Sequence, residues 1–364
     1  MPKETAAGEH RVALVPDVVR RLAAAGHEVV IEPGAGAGAG IADDAFADAG
    51  AELGDPWGAQ VIARVAPAEP GGLTGDHVLI GFLAPLTNSD GVAAIARTGA
   101  TAFAMEAIPR ISRAQSMDAL SSQATVSGYL SVIIAAGEMP RFLPMLMTAA
   151  GTIPPAQVLV LGAGVAGLQA IATARRLGAI VEAYDVRAAT KEQIQSLGAK
   201  FVDTGVAAEG TGGYARELTA DEKAKQQEIL DRHIAKADIV ITTAAIPGRT
   251  APRIISKSAV EAMGSGAVIV DLAAESGGNC ELTVAGETIV TPNGVSILGP
   301  RNLPSELARH SSQMYARNLL NFLTPALKNG ELAIDWQDEV FAQAVLTHDG
   351  QIRHAATAKL LEGR

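Results

Sequence analysis

The chain has 364 residues, 48% hydrophobic and 19% charged, with Lys+Arg 29 against Asp+Glu 39 and a formal charge of -10. That length suits two domains with cores of their own, and the hydrophobic content rules out a disordered chain. The acidic balance argues against a nucleic-acid surface and against direct docking on anionic lipid.

Met1-Pro2-Lys3-Glu4 is not followed by an apolar run, so no signal peptide is read there. Residues 17–25 read as a helix between Pro16 and Gly26, and residues 27–32 as a strand. Residues 34–40 alternate Gly and Ala and read as a loop. Residues 78–83 and 100–105 read as strands, and residues 114–138 as a long helix joining two domains. Residues 142–174 carry no charge and are long enough to span a bilayer. Pro144, Pro154 and Pro155, then Gly162, Gly164 and Gly167, interrupt them. They read as a loop, a buried strand, a tight turn and a helix rather than a membrane segment. A second α/β run follows from Gln157 to Gly299, with strands at 158–161, 180–184, 238–242, 267–271 and 295–298. Residues 304–323 read as a helix. The tail after Thr324 is too short for a domain and is expected to pack back on the first one. Cys280 is the one cysteine, so no intramolecular disulfide is possible and a reducing cytoplasm is the simplest setting.

One motif carries chemistry. The strand Gln157-Val158-Leu159-Val160-Leu161 runs directly into Gly162-Ala163-Gly164-Val165-Ala166-Gly167, then a helical pattern closed by Gly178, then a strand ending at Asp185. Strand, turn, helix and terminal acid stand in the order of a dinucleotide fingerprint. Gly162 permits the tight turn, Gly164 lets the backbone approach a pyrophosphate, and Gly167 lets the helix pack on the sheet. The free N–H groups at the helix start, Val165 and Ala166 among them, suit phosphate. Asp185 can accept from both hydroxyls of an adenosine ribose and would repel a 2′-phosphate, which favours NAD over NADP. Arg187, just beyond Val186, softens that exclusion. The alternative is a βαβ unit without a ligand.

Further stretches carry a resemblance. Residues 2–16 read PKETAAGEHRVALVP, residues 106–123 read EAIPRISRAQSMDALSSQ, and residues 147–152 read MTAAGT. DVR at 185–187, ITTAAIPG at 241–248 and DLAAESGGNC at 271–280 complete the set. Together they resemble the alanine dehydrogenase and transhydrogenase α-subunit family. The stretch 106–123 looks like the signature of its soluble NAD(H)-binding component of proton-translocating transhydrogenase. The family carries a strand ahead of the Pro-Lys-Glu start, and residues 55–76 match it poorly.

The resemblance implies an α/β fold of two Rossmann-like domains with parallel sheets and a cleft between them. The first domain is discontinuous, 1–125 with 310–364, and the NAD(H)-binding domain covers 126–309. It implies direct hydride transfer between NADH here and NADP(H) held on a partner domain. Proton translocation is coupled through separate membrane-spanning subunits, so the chain is catalytic only with partners. It further implies a homodimer, cytoplasmic and peripheral to the inner membrane through those partners. By the same resemblance Arg110, Asp118 and Ser121 fix the nicotinamide carboxamide and ribose, and Gln115 reaches towards the NADP nucleotide. Asp118 and Ser121 also share a face of the predicted helix; the alternative for Arg110 and Asp118 is a structural ion pair at a helix start. The Gly-rich stretch 202–221 corresponds to a loop closing over NAD(H) through a tyrosine, here Tyr214; a surface insertion is the other reading. Thr242, Thr243 and Ala244 end a strand at the carboxyl edge, where a dinucleotide lies. Glu275 matches an acid used by the dehydrogenase, or is simply solvated, and Cys280 reads as a small buried hydrophobe.

An alanine dehydrogenase moves protons as well as hydride and needs a positioned acid–base group. The resemblance places a lysine near residues 61–65 and a histidine near 81–85; the sequence offers Arg64 and no histidine, with His77 upstream. Hydride exchange between nicotinamides needs neither. An amino-acid dehydrogenase and a non-catalytic NAD-binding module remain the alternative functions.

Overall fold

Runs of valine and isoleucine form strands here because both faces of the sheets are covered. In the computed structural model, which describes residues 1–67, 71–206, 219–328 and 330–363, the chain separates into two compact units. One is Met1–Gln123 with Pro304–Arg364, the other Ala124–Leu303.

The second unit is built on a seven-stranded sheet. Its strands run in the order Lys200–Phe201, Ile180–Tyr184, Gln157–Leu161, Ile239–Thr242, Val268–Asp271, Ser296–Leu298 and Thr288–Val290. All pairings are parallel except the last. Alternate side chains feed two cores. Val158, Val160 and Ile171 pack on one face with Val132 and Ala135, while Leu159, Leu161 and Ile269 pack on the other with Leu230 and Val260. Strand order reverses between Gln157–Leu161 and Ile239–Thr242, and ligands of such sheets bind beyond the carboxyl ends at that point.

The first unit holds a five-stranded sheet in the order Gln351–Ile352, Val345–His348, Thr101–Ala104, Val78–Gly81 and Val61–Ala63. The last three are parallel to one another, but Val345–His348 runs antiparallel to Thr101–Ala104. This sheet is therefore mixed, because the returning C-terminal segment adds to the edge in the opposite sense. The segment also brings Phe341 into contact with Phe103 and Phe322.

Three local readings change. The strand expected at 27–32 shortens to Val30–Ile31, which pairs with Glu52–Leu53. The helix expected over 114–138 is a 3₁₀ run, Ser112–Met117, then the helix Ala119–Glu138, with a break at Asp118, where ψ is 87°. Asp118 sits outside the helix because its carboxylate takes the free N–H of Ser121, the usual reason for aspartate at a helix start. Within 142–157 the expected loop contains a hairpin, Leu146–Thr148 with Gly151–Ile153. Among the described residues, Ala119–Glu138 is the helix long and apolar enough to cross a membrane; its Val132 and Ala135 lie in the core of the second unit.

Candidate functional site

In the second unit the fingerprint turn is shaped by close approaches. Gly162 holds φ at +100°, and a Cβ there would meet Thr243 Oγ1 at 2.5 Å. A Cβ on Gly167 would lie 1.9 Å from the Gly162 carbonyl oxygen. Gly164 is different: φ is -77°, and a Cβ would meet nothing within 4 Å. Gly164 and Val165 face solvent, and no side chain caps the helix Val165–Arg176. Its first N–H groups, on Val165, Ala166 and Gly167, thus have no side-chain cap at an exposed helix start, as an anion site requires. The helix packs closely on Ala119–Glu138, since a Cβ on Gly128 would fall 2.0 Å from the Ala166 oxygen.

Asp185 closes the neighbouring strand and is 8% exposed. Its Oδ2 accepts from Ala163 N at 2.7 Å and from an Arg187 guanidinium nitrogen at 2.8 Å. Its Oδ1 accepts from Arg187 N and Arg187 Nε, both at 2.9 Å. Burial opposes ionisation, but the Arg187 side chain, with the Ala163 and Arg187 N–H groups, holds the carboxyl below the usual range. Val186 packs on the core beneath.

The edge after Ile239–Thr242 is braced from below. Thr242 is fully buried and gives its hydroxyl to Asp271 at 2.9 Å, so its side chain faces the core rather than a ligand. Thr243 donates to the Gly162 oxygen at 3.1 Å. Ala244 N donates to Asn279 Oδ1 at 3.1 Å, and Asn279 Nδ2 donates back to the Ala244 oxygen at 2.8 Å.

Asp271, fully buried, organises this corner. It also accepts from Ala273 N, Asn279 N, Cys280 N and Thr283 Oγ1. Sequence reasoning missed Asp271 and Asn279 as organisers. The pair Gly277-Gly278 was the available signal: both hold positive φ, and a Cβ on Gly278 would sit 2.9 Å from Asp271 Oδ2. Glu275 is exposed on the turn Ala274–Ser276. Cys280 is buried, and burial pushes its thiol up, away from the reactive thiolate. Tyr214, with residues 207–218 of the Gly-rich stretch, lies outside the described residues.

In the first unit Asp118 accepts from Ser121 N at 2.8 Å and Ser121 Oγ at 2.6 Å. Arg110 and Gln115 are exposed on the irregular segment leading to this pair. The 3₁₀ run is pinned where Asn318 and Asn321 both donate to the Ser116 oxygen. His77 is buried ahead of Val78–Gly81, at the amino end of the strand. There Nδ1 accepts from Thr74 N at 2.9 Å and Nε2 lies 3.0 Å from the Trp57 oxygen. The buried arginines of this unit face carboxylates of their own: Arg11 the carboxylate of Glu9 at 2.6 Å, Arg64 that of Glu4 at 3.4 Å.

Two known domain families match the chain. The alanine dehydrogenase/PNT N-terminal domain matches residues 1–127, and the alanine dehydrogenase/PNT C-terminal domain matches residues 131–355. The chain belongs to the alanine dehydrogenase/PNT family. Within that family it is 48% identical to an NAD(P) transhydrogenase subunit alpha component of Rhodospirillum rubrum, across 98% of this chain and 97% of that protein. A crystal structure of transhydrogenase from Sinorhizobium meliloti superposes with a TM-score of 0.88 at 46% identity, covering 96% of this chain and 98% of the other. The structure of an L-alanine dehydrogenase superposes with a TM-score of 0.81 at 27% identity, covering 100% and 98%. Both branches of the alanine dehydrogenase/PNT family thus share the fold, and the greater identity lies with the transhydrogenase branch.

Proposed function

We propose that this chain is the NAD(H)-binding component of a proton-translocating NAD(P) transhydrogenase. The observation that carries the reading is a nucleotide-ready Rossmann edge in a chain whose His77 is buried and tied at the amino end of its own strand. The open helix start beyond Gly164 and the carboxylate of Asp185 fit the pyrophosphate and adenosine ribose of NAD(H). Arg110, Asp118 and Ser121 are assigned to the nicotinamide carboxamide and ribose. The Asp118–Ser121 pair is already hydrogen-bonded, which favours orientation over proton transfer. Gln115, exposed, has donors and an acceptor to bridge two nucleotides but cannot act as acid or base. Bound NADH supplies the hydride, and NADP+ on a partner domain accepts it.

An alanine dehydrogenase is disfavoured on two grounds. His77 is buried and tied at the amino end of its strand, away from the carboxyl edge. Arg11 and Arg64 each face a carboxylate already, Arg11 at 2.6 Å and Arg64 at 3.4 Å, which weakens the pull of either on an oxo acid.

The partners are an NADP(H)-binding domain and membrane-spanning proton-channel subunits, with this chain cytoplasmic and peripheral to the inner membrane through them. The chain functions as a homodimer. Support comes from the hairpin at 146–153, where Met147 is 76% exposed, with exposed Met145 and Ile153 nearby. An isolated two-stranded hairpin with such a surface is marginal in water and gains from a covering copy.

The test compares two reactions of the purified chain. Addition of an NADP+-loaded partner domain should oxidise NADH and reduce NADP+. Pyruvate with ammonia should leave NADH unchanged; turnover there, with none in the first reaction, refutes the reading.

A further inference from the structure

Two loops at the carboxyl edge of the first unit's sheet are tied by one carboxylate. Glu106 follows the strand Thr101–Ala104, and its Oε1 accepts from Leu83 N at 2.9 Å and Ala84 N at 2.6 Å, in the turn after Val78–Gly81. Ala84 holds φ at +51°, a conformation shared among described non-glycine residues only by Asn302 and Asp349. Its carbonyl accepts from Thr87 N and Asn88 N, which continues the turn. The strained turn thus depends on the acceptor that Glu106 supplies.

The other oxygen, Oε2, is buried with no hydrogen-bond partner. Burial pushes the carboxyl up to about 7, against the N–H groups that pull it down. Tyr315, from the helix Ala308–Leu323, feels the Glu106 charge. Glu4, Arg11 and Glu9 act on the same hydroxyl, which donates to the Arg64 oxygen at 2.7 Å. The helix Glu339–Ala344 packs on Met105–Ala107, with its Glu339 turned to Arg113 at 3.8 Å. A glutamine could accept the same N–H bonds without burying a charge, so a carboxylate here weakens the fold unless its charge is used.

We propose that Glu106 is a positioning residue for hydride transfer: its carboxylate locks the Leu83–Ala84 turn to the Met105–Ala107 turn and fixes where Arg110 leaves the sheet. This rests on the assignment of Arg110, Asp118 and Ser121 to the nicotinamide.

The experiment is single-turnover hydride transfer from NADH on the full chain to NADP+ on the partner domain, from pH 5.5 to 8.5. NADH titrations and thermal denaturation accompany it. The parent should slow about fivefold as the pH falls through 7 and the charge-assisted bonds weaken, with NADH affinity nearly constant. Glu106→Gln should transfer at the parent's low-pH rate throughout, with no inflection. A carboxyl raised in the fold binds its proton more tightly there than in the unfolded chain. Stability from this group is therefore complete below the ordinary carboxyl range and is lost as the pH rises from there to about 7. Glu106→Gln should then match the parent's melting temperature only below about pH 4 and exceed it from pH 5.5 upward. A parental rate and pH profile in Glu106→Gln overturns the inference. So does a parent without an inflection near 7, which needs no variant to fold. If Arg110→Ala also transfers at the parental rate, the nicotinamide assignment itself has failed.

Discussion

Arg187→Ala isolates the electrostatics of nucleotide choice. A carboxylate has about four acceptor directions, and on Asp185 all are taken: Oδ1 by Arg187 N and Nε, Oδ2 by Ala163 N and an Arg187 guanidinium nitrogen. The hydroxyls of an adenosine ribose must displace the guanidinium from this position. Charge-assisted bonds of this kind contribute about 1.5–3 kcal/mol each. The Arg187 side chain is 28% exposed and recovers much of that from water, so the net penalty is about 1 kcal/mol. Arg187→Ala should therefore tighten NADH about fivefold. It should weaken NADPH by at least as much, because a cation near the 2′-phosphate is lost. The variant also exposes the linkage. The Asp185 carboxyl is held low in the fold, so its stabilisation is present above the unfolded value and disappears as pH falls through the folded one. Arg187→Ala should be less stable than the parent at pH 7, with the difference closing below about pH 4. Calorimetric titration of both nucleotides at one salt concentration, with melting curves at pH 7 and pH 3.5, measures both effects. A tenfold loss of NADH affinity in Arg187→Ala would refute the reasoning, because Arg187 would then be holding the nucleotide itself.

Asp185→Ala should act in the opposite sense, narrowing the gap between NADH and NADPH; equal affinities in the parent would already remove Asp185 from the argument. Gly164→Ala and Gly167→Ala should separate binding from folding. Gly164→Ala meets nothing in the fold and should keep the parental melting temperature while weakening NADH, measured by fluorescence titration. Gly167→Ala forces a Cβ against a backbone oxygen at 1.9 Å and should lower stability by about 1–3 kcal/mol; an unchanged melting temperature would contradict that packing. Gln115→Asn should slow stopped-flow hydride transfer while NADH affinity changes little, since an interaction made mainly in the reacting geometry lowers turnover more than binding.

The fingerprint was legible because its logic is local. A strand, three spaced glycines, a helix and an acid lie within about thirty residues of one another, and Gly162 and Gly167 each meet a short-range steric demand. What stayed hidden depends on side-chain direction or on distant partners. Asp185 was readable as a ribose acceptor, but not that Arg187 fills its acceptor sites. Asp118 was read on a helix face, whereas its affinity for the Ser121 N–H puts it outside the helix as a cap. Thr242 looked like its neighbours until burial turned its hydroxyl to Asp271, a strand away. The C-terminal strand Val345–His348 was foreseen only as a returning tail, because its antiparallel pairing with Thr101–Ala104 is set by topology rather than by its own sequence. Glu106 stands inside a recognisable motif, but the turn it supports lies more than twenty residues earlier.

Direct hydride transfer between the two nucleotides is tested by following the hydrogen itself. The chain is loaded with NADH deuterated at the transferred position of C4 and mixed with NADP+ bound on the partner domain in ordinary water. Mass spectrometry then reads the NADPH formed. The NADPH should carry the deuterium, with none lost to solvent, and NADH should not be oxidised when pyruvate and ammonia replace the partner. Unlabelled NADPH, or NADH consumed by pyruvate and ammonia with the chain alone, would contradict it.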